Sequence, residues 1–277
     1  MKEADGKVIV TISKHQGKGR YFMRKLSILV LLNFSLLAIA QNQIPELITD
    51  RPDQTESSAV VPRKSLQIET GFVMEKNQTE LSEEKLFAYN TSLLRYGLLD
   101  NLELRLGLEY LGEKASIKNI DTTYNFSGLS PIYMGLKIKI TEEEGWKPEI
   151  AFLGGMVFPF TADAHFRPKY SAANMRLSLS HTLSDRFSIG YNIGAEWDGE
   201  IPAPAYFYSV ALGIGLTDKF GMYVEGFGLL PEEGDSQHQF DAGFTYLVLP
   251  NFQLDISGGI GLNDYAMDNF LGFGINI

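Results

Sequence analysis

Apolar and polar positions alternate with a period of two through most of this chain. Residues 101–111, NLELRLGLEYL, put Leu102, Leu104, Leu106, Leu108 and Tyr110 on one parity. Glu103, Arg105, Gly107 and Glu109 fall on the other. That pattern predicts a strand with one apolar and one charged face. Two folds satisfy it: a soluble β-sandwich with the leucines inward, or a membrane barrel with the charges turned toward an enclosed, wet lumen.

The pattern recurs in SLQIETGFVM from Ser65, PIYMGLKIKI from Pro131, RFSIGYNIGAEWD from Arg186, NFQLDISGGIGLN from Asn251 and the closing NFLGFGINI. Weaker copies occupy residues 84–98, 148–160, 174–183, 204–216, 219–230 and 237–249. Residues 148–160 are apolar on both parities, so their faces stay unassigned. In 84–98, Leu94, Tyr96 and Leu98 are read as outward, which turns Arg95 toward Glu103 and Arg105. Together these segments predict twelve strands, and no segment has a convincing helical period.

The connections separate the two folds. Residues 76–83, 112–130 and 161–173 form long links, whereas Asp100-Asn101, Ser184-Asp185, Thr217-Asp218 and Pro250 mark tight turns. Long and short links alternating along the chain describe an up-and-down meander, with the long loops outside in outer-membrane barrels. A Greek-key sandwich would mix lengths at both ends. Strands of about ten residues, tilted, match the roughly 25 Å apolar band of such barrels. Tyr110, Tyr133, Phe158, Phe160, Tyr191, Trp197, Tyr206, Tyr208, Tyr246, Phe252 and Phe273 lie near strand ends, as interfacial girdles require. The expectation is all-β: a single transmembrane antiparallel barrel of twelve strands over residues 65–277, with both termini periplasmic.

Before the strands, residues 23–40 read as a signal peptide. Arg24 and Lys25 precede an apolar run from Leu26 that is interrupted by Asn33 and Ser35 and ends in Ala38-Ile39-Ala40. Residues 1–22 read as an upstream, non-structural extension, with Met1 and Met23 both open as the start. Seven of the 24 Lys/Arg and two of the 34 Asp/Glu lie in residues 1–40, leaving 17 against 32 beyond them. So acidic a chain is a poor partner for nucleic acid. With no cysteine, disulfides and thiolate metal sites are excluded. No metal or cofactor signature appears.

The inward parity collects Glu69, Arg95, Glu103, Arg105, Glu109, Lys137, Lys139, Arg176, Glu196, Tyr223, Glu225, Asp241 and Asp255. Seven acids and five bases are expected to pair across the barrel as an intermixed network that tunes solute selectivity. Residues 41–64 form a polar segment without period two, and ELITDRPDQTESSAVVP within it holds Asp50, Arg51, Asp53 and Glu56. Two views stand open: a solvated periplasmic tail, or a plug with Arg51 paired to a lumen carboxylate. Chemistry on a substrate has thin support. His181 and Ser184 are close in sequence at a periplasmic turn, but no flanking motif makes them a hydrolase pair.

TDRPDQTES followed by SLQIETGF resembles the start of a family of outer-membrane transporters named for the meta-cleavage pathway of phenol degradation, in its Bacteroidetes-type branch. GLLDNLELRLG, SPIYMGLKIKI, SHTLSDRFSIGYNIGAEWDG and FDAGFTYLVLPNFQLDISGGIGLN extend the resemblance over residues 47–277. It implies one outer-membrane barrel that passes small solutes, aromatic ones among them, and carries over no catalytic residue. It departs at Ile277, where barrel insertion signals usually end in an aromatic; Phe273 keeps the parity. The reading is a passive pore without cofactor, whose partners are membrane lipid, a small solute and, during insertion, the barrel-assembly machinery. Oligomeric state is left open. The runner-up is a non-conducting structural or adhesion barrel presenting residues 112–130; lipid hydrolysis at the rim comes third.

Overall fold

A computed structural model describes residues 47–118 and 122–277. The expected signal peptide and upstream extension lie outside the described residues. Thirteen strands follow in chain order: β1 (Leu66–Gln78), β2 (Ser82–Leu99), β3 (Leu102–Ile117), β4 (Thr122–Leu129), β5 (Ile132–Thr141), β6 (Glu149–Phe158), β7 (Ala173–Thr182), β8 (Phe187–Glu196), β9 (Ala205–Gly215), β10 (Phe220–Pro231), β11 (Gln237–Leu249), β12 (Phe252–Gly261) and β13 (Asn269–Asn276).

These make twelve staves. β4 pairs with the upper half of β3, from Tyr110↔Leu129 to Ile117↔Thr122, and β5 with its lower half, from Leu102↔Ile138 to Gly107↔Tyr133. They are one stave broken at Ser130-Pro131, where proline has no N–H to give the ladder. All neighbouring staves pair antiparallel, and β1 pairs with both β2 and β13. The sheet closes into a twelve-stave barrel through β2–β3, with β4 alone paired on one side, and closure is what lets strands cross a bilayer with their backbone groups satisfied.

The leucines face out. Leu104 is 43% exposed on the outer wall, while Glu103 and Arg105 beside it are 0% and 4% exposed inside. Leu254, Ile256, Leu271, Phe273 and Ile275 continue the outer surface. The ambiguous stave is β6. Ala151 and Leu153 are buried on its inner side, while Met156 is exposed on the outer. Its inner residues are apolar because protein, not water, covers them.

Two expectations about loops are corrected. Residues 112–130 are mostly strand: β3 runs on to Ile117 and returns as β4, so this link is a tall hairpin. Residues 76–83 shrink likewise, with β1 reaching Gln78 and β2 starting at Ser82. Above the apolar band both faces of a strand meet water, so side-chain polarity stops alternating although the backbone ladder continues. Tyr133, counted among the girdle aromatics, points inward instead and lies flat over Gly107, Gly135 and Gly155, where a Cβ would collide with its ring.

Leu104→Arg is expected to cost roughly 2–4 kcal/mol in urea unfolding from lipid vesicles, because it places a charge against acyl chains. Leu81→Arg, in the link between β1 and β2, should be near neutral. Equal small effects at both positions would contradict the assignment of the outer wall to lipid.

Candidate functional site

The acidic and basic residues selected by parity pair between adjoining staves rather than across the barrel. Arg95, Arg105 and Lys137 stand on the adjoining staves β2, β3 and β5, whereas Glu225 and Asp241 face each other in register on β10 and β11. Among the described residues no cation lies within salt-bridge distance of Glu225 or Asp241, so the expected network is intermixed at Glu69, Arg95, Glu103 and Arg105 and unpaired on the β10–β11 wall. The negative charge that reaches the basic cluster comes from Glu69 and Glu103 of the wall and from the polar segment. Residues 47–64, here called the strap, run through the lumen near the short-turn end of the barrel.

Asp50 is the hub of the strap. Its carboxylate accepts from Lys137 Nζ at 2.9 and 3.0 Å and from Arg105 Nη1 at 2.8 Å, with Arg95 Nη1 3.1 Å away. It also accepts the Ser57 backbone N–H at 2.9 Å, which closes the loop on itself. Glu103 takes Arg95 through Nε at 2.8 Å and Nη2 at 2.9 Å, and Glu69 takes its Nη1 at 2.7 Å. Glu56 binds both of its oxygens to Arg105 Nη2, at 3.0 and 2.8 Å. Three cations thus meet four carboxylates in a closed cluster. Geometry of this quality is what allows buried charge to remain ionised.

Arg51 turns the other way. Its Nη2 lies 3.2 Å from Asp255 Oδ1, and Asn276 Nδ2 holds the second oxygen of that carboxylate at 2.9 Å. Arg51 needs the space left by Gly71 and Gly274, since a Cβ at either would strike its guanidinium. The strap backbone is then tied to stave after stave. Gln54 N–H donates to Glu225 at 2.7 Å and Glu56 N–H to Asn192 at 2.8 Å. Ser58 Oγ donates to Glu149 at 2.7 Å and Val61 N–H donates to Glu103 at 2.9 Å. Thr55 Oγ1 also donates to Glu225. The strap leaves past Gly97, where any side chain would overlap the Pro62 and Val61 carbonyls. At the turn into β1, Lys64 takes a positive φ of 65° and its N–H donates to Gly97 O at 2.7 Å.

The strap divides the lumen. A cavity of about 670 Å³ lies on its long-loop side, lined by Glu109, Tyr133, Arg176, Glu196, Phe207 and Phe227 among others. A second, of about 370 Å³, lies on the short-turn side against Ser188, Gly213, Gly221 and Tyr223. Arg51, Pro52 and Asp53 are the residues that line both. They form the partition.

The remaining predicted residues separate by height. Arg176 Nη1 donates to Gln54 O at 2.8 Å, with its guanidinium 4.4 Å from the Phe207 ring centre. Tyr223 donates to Asp241 at 2.9 Å. Lys139 stays at the short-turn rim, 2.7 Å from Glu142 and 3.8 Å from Glu149, outside both cavities. The suggested His181–Ser184 pair does not form. His181 Nε2 is 3.3 Å from Tyr191 Oη, and Ser184 Oγ accepts the Arg186 and Phe187 N–H groups of its own turn. Sequence reasoning passed over Thr55, Ser58, Ser178, Asn192 and Ser209. All are small polar groups, and those on strands share the inward parity, the only signal they carry.

Burial works to raise the Asp50 carboxyl, but Arg95, Lys137 and Arg105 outweigh it and hold the group well below the usual carboxylate range. Asp53 is the opposite case. Burial, then the nearby Glu225 and Asp241, push it well above its ordinary value, with Asp50 adding a smaller push.

A family model described as "Putative MetA-pathway of phenol degradation" matches residues 49–277. Comparison with curated proteins gives no match. Among solved structures, the fold is similar to an outer membrane channel from Pseudomonas putida F1, with TM-score 0.62 and 12% identity, covering 82% of this chain and 98% of that one. It is also similar to the β domain of the Bordetella autotransporter Brka, with TM-score 0.50 and 11% identity, covering 76% and 98%. Likeness at these identities shows the outer-membrane barrel fold.

Asp50→Ala removes the carboxylate that Lys137 bonds and that Arg95 and Arg105 share, and is expected to cost about 3–5 kcal/mol in equilibrium unfolding. Combining Asp50→Leu with Lys137→Met should recover part of that loss; no recovery would mean that Asp50 acts through something other than charge. The pH response has two signs. The depressed Asp50 contributes stability above the ordinary carboxyl range, lost only as pH falls through its lowered value. The raised Asp53 contributes stability below its ordinary value, lost as pH rises through the raised one. Protection of the strap from protease should therefore increase as pH falls through the raised Asp53 value toward the ordinary carboxyl range, and Asp53→Asn should flatten that dependence at the protected level.

Proposed function

The chain belongs to the MetA-pathway phenol-degradation family, and from that premise we propose that it is an outer-membrane pore for passive passage of small solutes, aromatic ones among them. The observation that carries this reading is the pair of cavities on the two sides of the strap within one barrel, with Arg51, Pro52 and Asp53 lining both. A solute entering from the long-loop side meets Phe207, Phe227, Phe270 and Tyr133, which offer apolar surface, beside polar groups that keep the cavity wet. The printed description of the Pseudomonas putida F1 structure as a channel agrees with this use of the fold.

In this reading the strap is the resistance in the path. Asp255 holds Arg51 and Glu225 holds the Gln54 N–H, so Pro52 and Asp53 between them cross the lumen under two anchors. Passage needs displacement of the partition and not of the whole strap. The outer wall meets lipid, insertion uses the barrel-assembly machinery, and the residues before the strap serve export. The chemistry in this reading is transport.

In planar bilayers the purified protein should pass small, brief currents. Arg51→Ala, which frees the partition from Asp255, should increase conductance severalfold. Gln54→Ala, which keeps the backbone bond to Glu225, should not. An electrically silent wild type together with a silent Arg51→Ala would defeat the pore and favour the non-conducting barrel that presents the β3–β4 hairpin.

A further inference from the structure

The long-loop cavity carries an unbalanced charge. Glu75, Glu109 and Glu196 line it, and among the described residues none has a cation within salt-bridge distance. Glu109 has only a neutral partner, the Ser130 side chain. The arginines of the cavity do not offset them. Arg51 is held by Asp255, and Arg105 by Asp50 and Glu56. Arg176 is the remaining cation, and its Nη1 is already engaged by Gln54 O and by Asn192 Oδ1 at 3.1 Å. Three carboxylates therefore face one guanidinium.

A second observation points to what such a cavity would take. Gln239 lines the same space, is 7% exposed, and its Oε1 has no hydrogen-bond partner. A buried carbonyl oxygen left without a donor costs about 1–3 kcal/mol, so the site favours an occupant that brings an N–H or O–H group. The walls around it are aromatic: Phe227 stands opposite Gln239 in register, Phe270 is buried beneath the mouth, and Phe207 and Tyr133 line the far side. At about 670 Å³ the cavity has the size of a small-molecule site. Carboxylates with a low-dielectric wall concentrate cations, and ring faces attract an ammonium group directly.

Resting on the pore reading above, we infer that this cavity is a selectivity vestibule for small organic cations, ammonium compounds with an apolar or aromatic body, and that it turns away organic anions of the same size. Glu75, Glu109 and Glu196 set the sign of the charge. Gln239 Oε1 accepts an ammonium N–H, and the rings hold the apolar body.

Reversal potentials in planar bilayers read this directly, because neutral molecules crossing the lipid carry no current. With a KCl gradient the wild type should favour K⁺ over Cl⁻ by about tenfold. Benzylammonium should carry current and benzenesulfonate should not. The triple variant Glu75→Gln, Glu109→Gln, Glu196→Gln should bring the K⁺ to Cl⁻ ratio close to one. Glu196→Gln alone, should the triple variant fail to fold, should move that ratio part of the way. Gln239→Leu should lower benzylammonium permeability relative to K⁺ severalfold with the K⁺ to Cl⁻ ratio unchanged. Current from benzenesulfonate equal to that from benzylammonium, or a ratio indifferent to the glutamate changes, overturns the inference and leaves the pore standing. No current from any ion, KCl included, overturns both.

Discussion

A carboxylate enclosed with three cations is the interaction on which the rest of this barrel depends. Arg95, Arg105 and Lys137 occupy neighbouring staves and point into one another's space, an arrangement that would repel itself in an empty lumen. Glu69 and Glu103 offset part of that charge from within the wall, and Asp50, supported by Glu56, supplies the rest from outside the sheet. The strap is therefore a missing part of the wall's electrostatics rather than a loose tail that happens to fold inward. Side chains this deeply buried tolerate charge only when every partner is in place, so wall and strap stabilise each other or neither is stable.

The same pairing decides where the lumen is narrow. Asp50 fixes the strap to the basic side, Arg51 fixes it to Asp255 and the Gln54 N–H fixes it to Glu225, which draws Pro52 and Asp53 across the lumen. Small residues on the wall make room: Gly71 and Gly274 for the Arg51 guanidinium, Gly97 for the exit of the strap. What remains open is two cavities of different character. The long-loop one mixes rings with carboxylates, and the short-turn one is smaller, with glycines along its β9 and β10 wall. A fold that many outer-membrane proteins share is given its particular resistance and charge preference by a few residues projecting inward.

The opposite wall shows the cost of that arrangement. Glu225 and Asp241 face each other without a cation, and Asp53 of the strap is brought beside them. Their bonds come from neutral donors: Gln54 N–H and Thr55 for Glu225, Tyr223 for Asp241. The strap is thus held firmly at one end by ionised pairs and more weakly over the acidic wall. A partition that gives way there requires less reorganisation than one that gives way at Asp50.

The sequence by itself determined the twelve staves, the end that carries the short turns, and which side chains face inward on every stave but β6. Each of these is local: a side chain's face follows from its parity, and turn residues mark where a stave ends. Glu103, Arg105 and Lys137 were legible for that reason, and Glu75 was missed because it lies where outer-side polarity stops alternating. Only the tertiary structure decided which charges meet. Closure of the barrel sets which staves stand next to Arg95 and which stand across from it, and no periodicity along the chain encodes that distance. The strap has no period of its own, so whether Arg51 met water or Asp255 depended on the shape of the space the wall leaves behind.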